Sequence, residues 1–202
     1  MGFDLPKTAT SIPDLHQKET DFFSLLDLTN TPSVIDFEKA FYKAFVNLHS
    51  NQLVRKIWDW DKENERLKTK ISYENQVIFT WKNPKGEIKC ATAVNINNNL
   101  SQFANFGFKV PDNKQGKYCE VLTLFTQNIE RTNGIRLDRF FLRGFCIAHL
   151  QHQGYNYILS TCAQRPLNTY LRWGWEIVDE ATIENEKRYF LYYDIKTNLN
   201  NL

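Results

Sequence analysis

Hydrophobic positions along this chain change their period several times, and each change marks an element. Through residues 1–30 short apolar groups mix with Pro6 and Pro13 without a period, which predicts an extended arm lying on the folded body. From residue 31 the spacing becomes helical: Val34, Phe37, Phe41, Ala44, Phe45 and Leu48 fall on one face, and Thr31-Pro32-Ser33 supplies a capping hydroxyl and a first-turn proline. Residues 52–68 carry a weaker stripe, with Trp58 and Trp60 among charges, and predict a second helix.

The pattern then turns extended. Residues 76–81 and 87–96 are rich in β-branched and aromatic side chains and flank Asn83-Pro84-Lys85-Gly86, so they predict a hairpin. Residues 97–117 form a long connection whose Phe103, Phe106 and Phe108 favour a packed lid over a disordered loop. A strand over 118–126, a helix over 134–151 and a strand over 155–161 read as one βαβ crossover. Leu137, Phe140, Phe141, Phe145, Ile147, Ala148 and Leu150 give that helix its sheet-facing stripe. A short helix over 166–173 and strands over 175–179 and 188–195 complete the chain. The reading is an α/β (α+β) fold with a mixed sheet, organised as an arm at 1–33 and one domain at 34–202.

Composition narrows the function. A net charge of only +2 gives no general attraction to nucleic acid or to membrane surfaces, so any basic site has to be local. No apolar run approaches the length that spans a bilayer, which excludes membrane insertion. Cys90, Cys119, Cys146 and Cys162 are widely spaced with no CxxC pair, so neither a metal site nor a disulfide framework is expected, and reduced thiols fit a cytoplasmic protein. Aromatic residues at 14% are more than a routine core requires, so some rings either fill the core or line a pocket.

The turn between the crossover's first strand and its helix reads Arg131-Thr132-Asn133-Gly134-Ile135-Arg136. Free backbone N–H groups at a helix start attract phosphate, and Gly134 allows close approach; a simple turn is the alternative. Glu120 is an unusual carboxylate amid Cys119, Val121 and Leu122; an outward-facing residue paired with a lysine is its ordinary reading.

Taken together, the order of elements resembles the GNAT superfamily of N-acyltransferases over roughly residues 34–195, with the 131–136 turn at its phosphate loop and Tyr170-Leu171-Arg172-Trp173-Gly174-Trp175 at its later YxxxGF motif. The resemblance implies that the two crossover strands splay apart. A pantetheine arm would then lie along Leu124, Phe125 and Thr126, and donor phosphates on the amides of Arg131, Thr132, Asn133, Gly134, Ile135 and Arg136. It implies direct attack of an amine on a thioester, with no tightly bound cofactor: acyl-CoA or an acyl-phosphopantetheine on a carrier protein is the co-substrate. Tyr170 matches the tyrosine that protonates the departing thiolate, and Glu120 the position of a base; packing under the terminal strands is the other reading of Tyr170.

One departure bears on the donor. Arg136 replaces the small residue that closes the family's phosphate loop, and Arg136, Arg139 and Arg143 recur at helical spacing, as a solvated face or as a docking surface for an acidic acyl carrier protein. That plan is similar to acyl-homoserine-lactone synthases and N-acyl amino acid synthases, which implies a medium or long fatty acyl group and an apolar pocket, for which Leu122, Phe103 and Phe141 are candidates. The acceptor implied is a primary amine of a small molecule or peptide.

Overall fold

A computed structural model describes residues 23–48, 51–127, 131–132, 135–136 and 141–199. Its centre is a seven-stranded sheet in the order β1-β4-β5-β6-β9-β11-β10, formed by β1 (Phe23–Leu25), β4 (Gln76–Lys82), β5 (Ile88–Asn95), β6 (Tyr118–Thr126), β9 (Tyr157–Ala163), β10 (Glu176–Ile183) and β11 (Glu186–Asp194). Every neighbouring pair is antiparallel except β6 and β9, the two crossover strands. This is the mixed, GNAT-like α/β sheet expected from sequence. Phe23–Leu25, inside the expected arm, adds β1 as an edge strand on β4; residues 1–22 lie outside the described residues.

One face of the sheet is covered by α1 (Thr31–Phe45), α2 (Gln52–Ile57) and the hairpin of β2 (Trp58–Asp61) with β3 (Arg66–Thr69). Phe37 and Phe41 of α1 are buried, and Phe41 stacks on Phe125 of β6 at 5.8 Å. Burial of each such ring contributes about 2 kcal/mol. The cap falls one residue before the hydroxyl expected to supply it: Asn30, in extended backbone, accepts the Ser33 N–H at 3.1 Å, and Pro32 takes the first turn.

The helix expected over 52–68 is only six residues long. From Trp58 the alternation of Trp58 and Trp60 with Asp59 and Asp61 is a strand period, and it overrides the weak helical stripe. The chain reverses where Asp61 Oδ1 accepts the Asn64 N–H at 3.1 Å and Glu65 takes a positive φ of 52°. Glu38, buried on α1, ties this hairpin down: Arg66 donates to it from β3, and the Tyr73 hydroxyl donates at 2.5 Å.

The opposite face packs on the crossover segment, on α4 (Gln164–Arg172) and on α5 (Ile195–Leu199). The helix expected from residue 134 is not present at Ile135–Arg136: β7 (Arg131–Thr132) and β8 (Ile135–Arg136) pair antiparallel, Arg131 opposite Arg136. Asn133, Gly134, Leu137, Arg139 and Phe140 lie outside the described residues. Helical structure is present from Phe141, first as the wide turns of a π-helix through Ile147 and then as α3 (Ala148–His152). Phe141, Ile147 and Leu150 bury the expected stripe. The four cysteines are buried thiols not joined in disulfides, three of them (Cys90, Cys119, Cys146) with 3% exposure or less. Among the described residues no helix is long and apolar enough to cross a membrane.

Candidate active site

The sheet opens into a fork at its centre. β6 and β9 pair only from Tyr118 opposite Tyr157 to Val121 opposite Ser160, although β6 runs on to Thr126 and β9 to Ala163. Each strand keeps its outer neighbour to the end: Thr126 pairs with Cys90 of β5, and Ala163 with Arg188 of β11. Ser160 Oγ donates to the Val121 carbonyl at 3.1 Å, at the point where the fork begins. Leu124, Phe125 and Thr126 therefore line one arm of a cleft with backbone that has no strand partner on that side among the described residues.

A β-bulge sits at the same point. Ala93 pairs with Thr123 and Val94 with Val121, which leaves Leu122 as the extra residue. Leu122 and Thr123 consequently both face the α1 side, Leu122 in its core and Thr123 opposite Ala93. The carbonyls of this stretch are held by side chains, Leu122 by Gln102 Nε2 and Thr123 by Thr92 Oγ1, each at 3.0 Å.

Glu120 lies just before the bulge and is 2% exposed. Its two oxygens accept the N–H groups of Gln102 and Phe103, each at 2.8 Å, at the start of a 3-10 turn over Phe103–Phe106. Burial, only partly offset by these hydrogen bonds, pushes its pKa up to about 7. Glu120 is thus neither a surface residue nor paired with a lysine. The connection over 97–117 is packed as expected: Phe103 and Phe108 lie 4.9 and 5.1 Å from Phe190 of β11, and all three of its phenylalanines are buried.

On the other face Tyr170, near the end of α4, stands edge-on to Trp175 at 5.4 Å and to Trp173 at 6.1 Å. Burial and the nearby Cys162 push its phenol above the ordinary value of 10, so it is protonated across the physiological range. Cys162 is itself pushed up to about 12 by burial, which makes it a poor nucleophile. Arg143 is not a solvated docking residue: it donates to the Trp173 carbonyl at 2.9 Å and fastens the crossover helix to the end of α4.

The candidate acyl-pocket residues divide between faces. Leu122 and Phe103 share the α1-side core, whereas Phe141 packs with Phe23 and Phe145 on the other. Two features escaped sequence reasoning. A groove of about 570 Å³ at the end of β6 is lined by Lys39, Lys43, Lys85 and Lys89 with Asp36 and Glu87, residues brought together from α1 and the β4–β5 turn. Arg188, 7% exposed, is buried on the α1 side of β11. A lone arginine in a strand of aromatics was the only sign of it.

No protein-family model matches the sequence, and no curated protein matches it. Solved structures do share the fold. The CoA-dependent acyl-homoserine lactone synthase BjaI, with SAM and isopentyl-CoA, is 12% identical with a TM-score of 0.64 over 89% of this chain and 86% of its own. The CoA-dependent acyl-homoserine lactone synthase MesI is 13% identical, TM-score 0.62, over 86% of this chain and 88% of its own. The ribosomal-protein-S18-alanine N-acetyltransferase from Escherichia coli is 12% identical, TM-score 0.52, over 86% and 92%. At these identities the likeness is one of fold, and that fold is GNAT-like.

Proposed function

We propose that this chain is an N-acyltransferase that moves an acyl group from a pantetheine thioester to a primary amine. The observation that carries the reading is the fork beyond Val121 and Ser160, with its bulge at Leu122 and a buried carboxylate directly beneath. An extended arm bearing amides fits a cleft whose wall is unpaired strand backbone. The fold shared with the acyl-homoserine lactone synthases and the N-acetyltransferase supports the same chemistry.

In the reaction the amine nitrogen attacks the thioester carbonyl, a C–N bond forms and the C–S bond breaks. The products are an amide and a free thiol. Glu120, with a pKa near neutrality, takes the proton lost by the amine, directly or through water. Tyr170, protonated at working pH, gives one to the departing sulfur. Donor phosphates lie towards the 131–136 hairpin, with Arg131 as a charge partner, and the lysines at the end of β6 add positive field there.

The acyl group is a medium or long fatty chain, carried on CoA or on an acyl carrier protein. Arg136, in place of the small residue that closes the phosphate loop in similar proteins, supports this, because it crowds the closest approach of phosphate and leaves more of the donor's binding to its acyl part. Four buried, reduced cysteines support a cytoplasmic setting. Acetyl, octanoyl, decanoyl and palmitoyl thioesters, offered with mixed amines and read by thiol release, test the proposal. Release with the longer acyl groups is expected; strict preference for acetyl-CoA would replace the fatty-acyl part, and no release with any amine would remove the reading.

A further inference from the structure

Three buried polar side chains lie around the Leu122 bulge, where the fork begins: Glu120, Gln102 and Thr123, 2%, 3% and 4% exposed. Gln102 is fixed at both ends. Its backbone N–H donates to Glu120 Oε2 at 2.8 Å, and its side-chain Nε2 donates to the Leu122 carbonyl at 3.0 Å. The orientation of that amide follows, because turning it over would set oxygen against the Leu122 oxygen. Gln102 Oε1 is then buried without a hydrogen-bond partner among the described residues, and so is Thr123 Oγ1, on the residue next to Leu122.

These two atoms are complementary and yet unjoined. The Gln102 oxygen can only accept, the Thr123 hydroxyl can donate, and no hydrogen bond runs between them. Glu120 adds a third incomplete atom. Its Oε2 accepts the Gln102 N–H and lies 3.5 Å from Asn95 Nδ2, whereas Oε1 accepts only the Phe103 N–H among the described residues, at 2.8 Å, and keeps a lone pair. Buried polar atoms in this condition are costly, and a water molecule is the ordinary means of satisfying several at once. One water fits the set by count. Its two hydrogens serve Gln102 Oε1 and Glu120 Oε1, one lone pair takes the Thr123 hydroxyl, and the second lone pair remains to accept an N–H.

We infer that Gln102 and Thr123 hold a water through which Glu120 deprotonates the amine. The proton passes from the amine nitrogen to the water oxygen while the water gives one of its own to Glu120 Oε1. The water is thereby restored, and the carboxylate ends protonated. Gln102 belongs to the connection over 97–117, so the packing of Phe103, Phe106 and Phe108 also sets the relay, which is complete once that connection is in place. Gln102 and Thr123 are positioning residues: they act through the water and exchange no proton with the amine. This inference rests on the acyl-transfer reading above.

Thr123→Val keeps a β-branched strand residue and replaces only the hydroxyl, Thr123→Ser keeps the hydroxyl, and Gln102→Met lacks the amide oxygen. With octanoyl-CoA as donor, butylamine is protonated in solution at neutral pH and needs the base, whereas methoxyamine is already neutral. Thr123→Val should lower kcat/KM for butylamine about tenfold, keep methoxyamine within about twofold and leave the donor KM unchanged. Gln102→Met should show the same split, and Thr123→Ser should stay near wild type. Equal losses with the two amines, or a serine variant as slow as the valine one, would overturn the relay. A crystal structure of the unliganded wild-type protein adds a test that needs no turnover. A water within about 3 Å of Gln102 Oε1, Thr123 Oγ1 and Glu120 Oε1 is expected; its absence, or a direct bond between the Gln102 and Thr123 side chains, would overturn the inference. If no thioester is consumed with any amine, acyl transfer falls, and the same crystal still upholds or overturns the water site.

Discussion

The carboxylate of Glu120 accepts the N–H of Phe103 at 2.8 Å, so one side chain joins the strand that borders the cleft to the turn that covers it. Burial has raised its pKa from 4.5 to about 7. A carboxyl group shifted in that direction favours the folded state in its protonated form. Its contribution is full below pH 4.5 and is lost as pH rises through 7, a change of about 3 kcal/mol. Urea denaturation between pH 4.5 and 8 should show this slope in the wild-type protein and a flatter one in Glu120→Gln. Acyl transfer should behave oppositely, rising through pH 7 as the base ionises, and Glu120→Gln should lose that limb. An unchanged rate profile would leave Glu120 as a lid fastener only.

Tyr170→Phe keeps the ring between Trp173 and Trp175 and removes only the hydroxyl. Stability should stay within about 0.5 kcal/mol. If the phenol protonates the leaving thiolate, kcat should fall about a hundredfold with the donor KM unchanged. A kcat within twofold of wild type would assign Tyr170 to packing.

Glu38 is buried under Arg66 and Tyr73 and links α1 to β3. Glu38→Ala strips both partners of their acceptor and should cost about 3 kcal/mol in chemical denaturation. A loss under 1 kcal/mol would mean that the strut is decorative.

Gly116 has φ +116°, and a Cβ there would come within 2.6 Å of Asn156 Oδ1, the atom that accepts the Lys117 N–H at 2.8 Å. Gly116→Ala should destabilise by about 2 kcal/mol, because backbone strain and collision add. Gly86→Ala provides the control: at φ +81° with nothing within 4 Å, strain acts alone, at about 1 kcal/mol. Equal losses at the two positions would show that the Asn156 contact yields freely.

Much of the fold could be read from the sequence because period and packing agree there. The strand over 118–126 and the β4–β5 hairpin match the expected limits closely, since β-branched residues and the Asn83-Pro84-Lys85-Gly86 turn point the same way. The misreadings fall where two signals compete. Trp58 and Trp60 fit both a ragged helix and a short strand, and only their packing against Phe41, Phe45 and each other decides for the strand. Residues 131–136 hold a glycine and charges compatible with a helix start or a hairpin, and local chemistry does not separate them. Arg143 looked like part of a basic stripe because its partner, the Trp173 carbonyl, is thirty residues away. Glu120 stood out as a misplaced carboxylate, but its acceptor role towards two lid amides depends on a turn that no periodicity announces. Arg188 and the lysine groove are products of tertiary assembly alone.

The bulge at Leu122 also sets how this strand can change. Before it Cys119 and Val121 face the crossover helix; after it Leu124 does, because one extra residue has reset the alternation. A single-residue deletion anywhere else in the strand's second half would turn every following side chain to the wrong face. At Leu122 or Thr123 the same deletion would leave both faces in phase and straighten the ladder instead. Length variation in this strand is therefore tolerable at one place only, and that place is the mouth of the cleft.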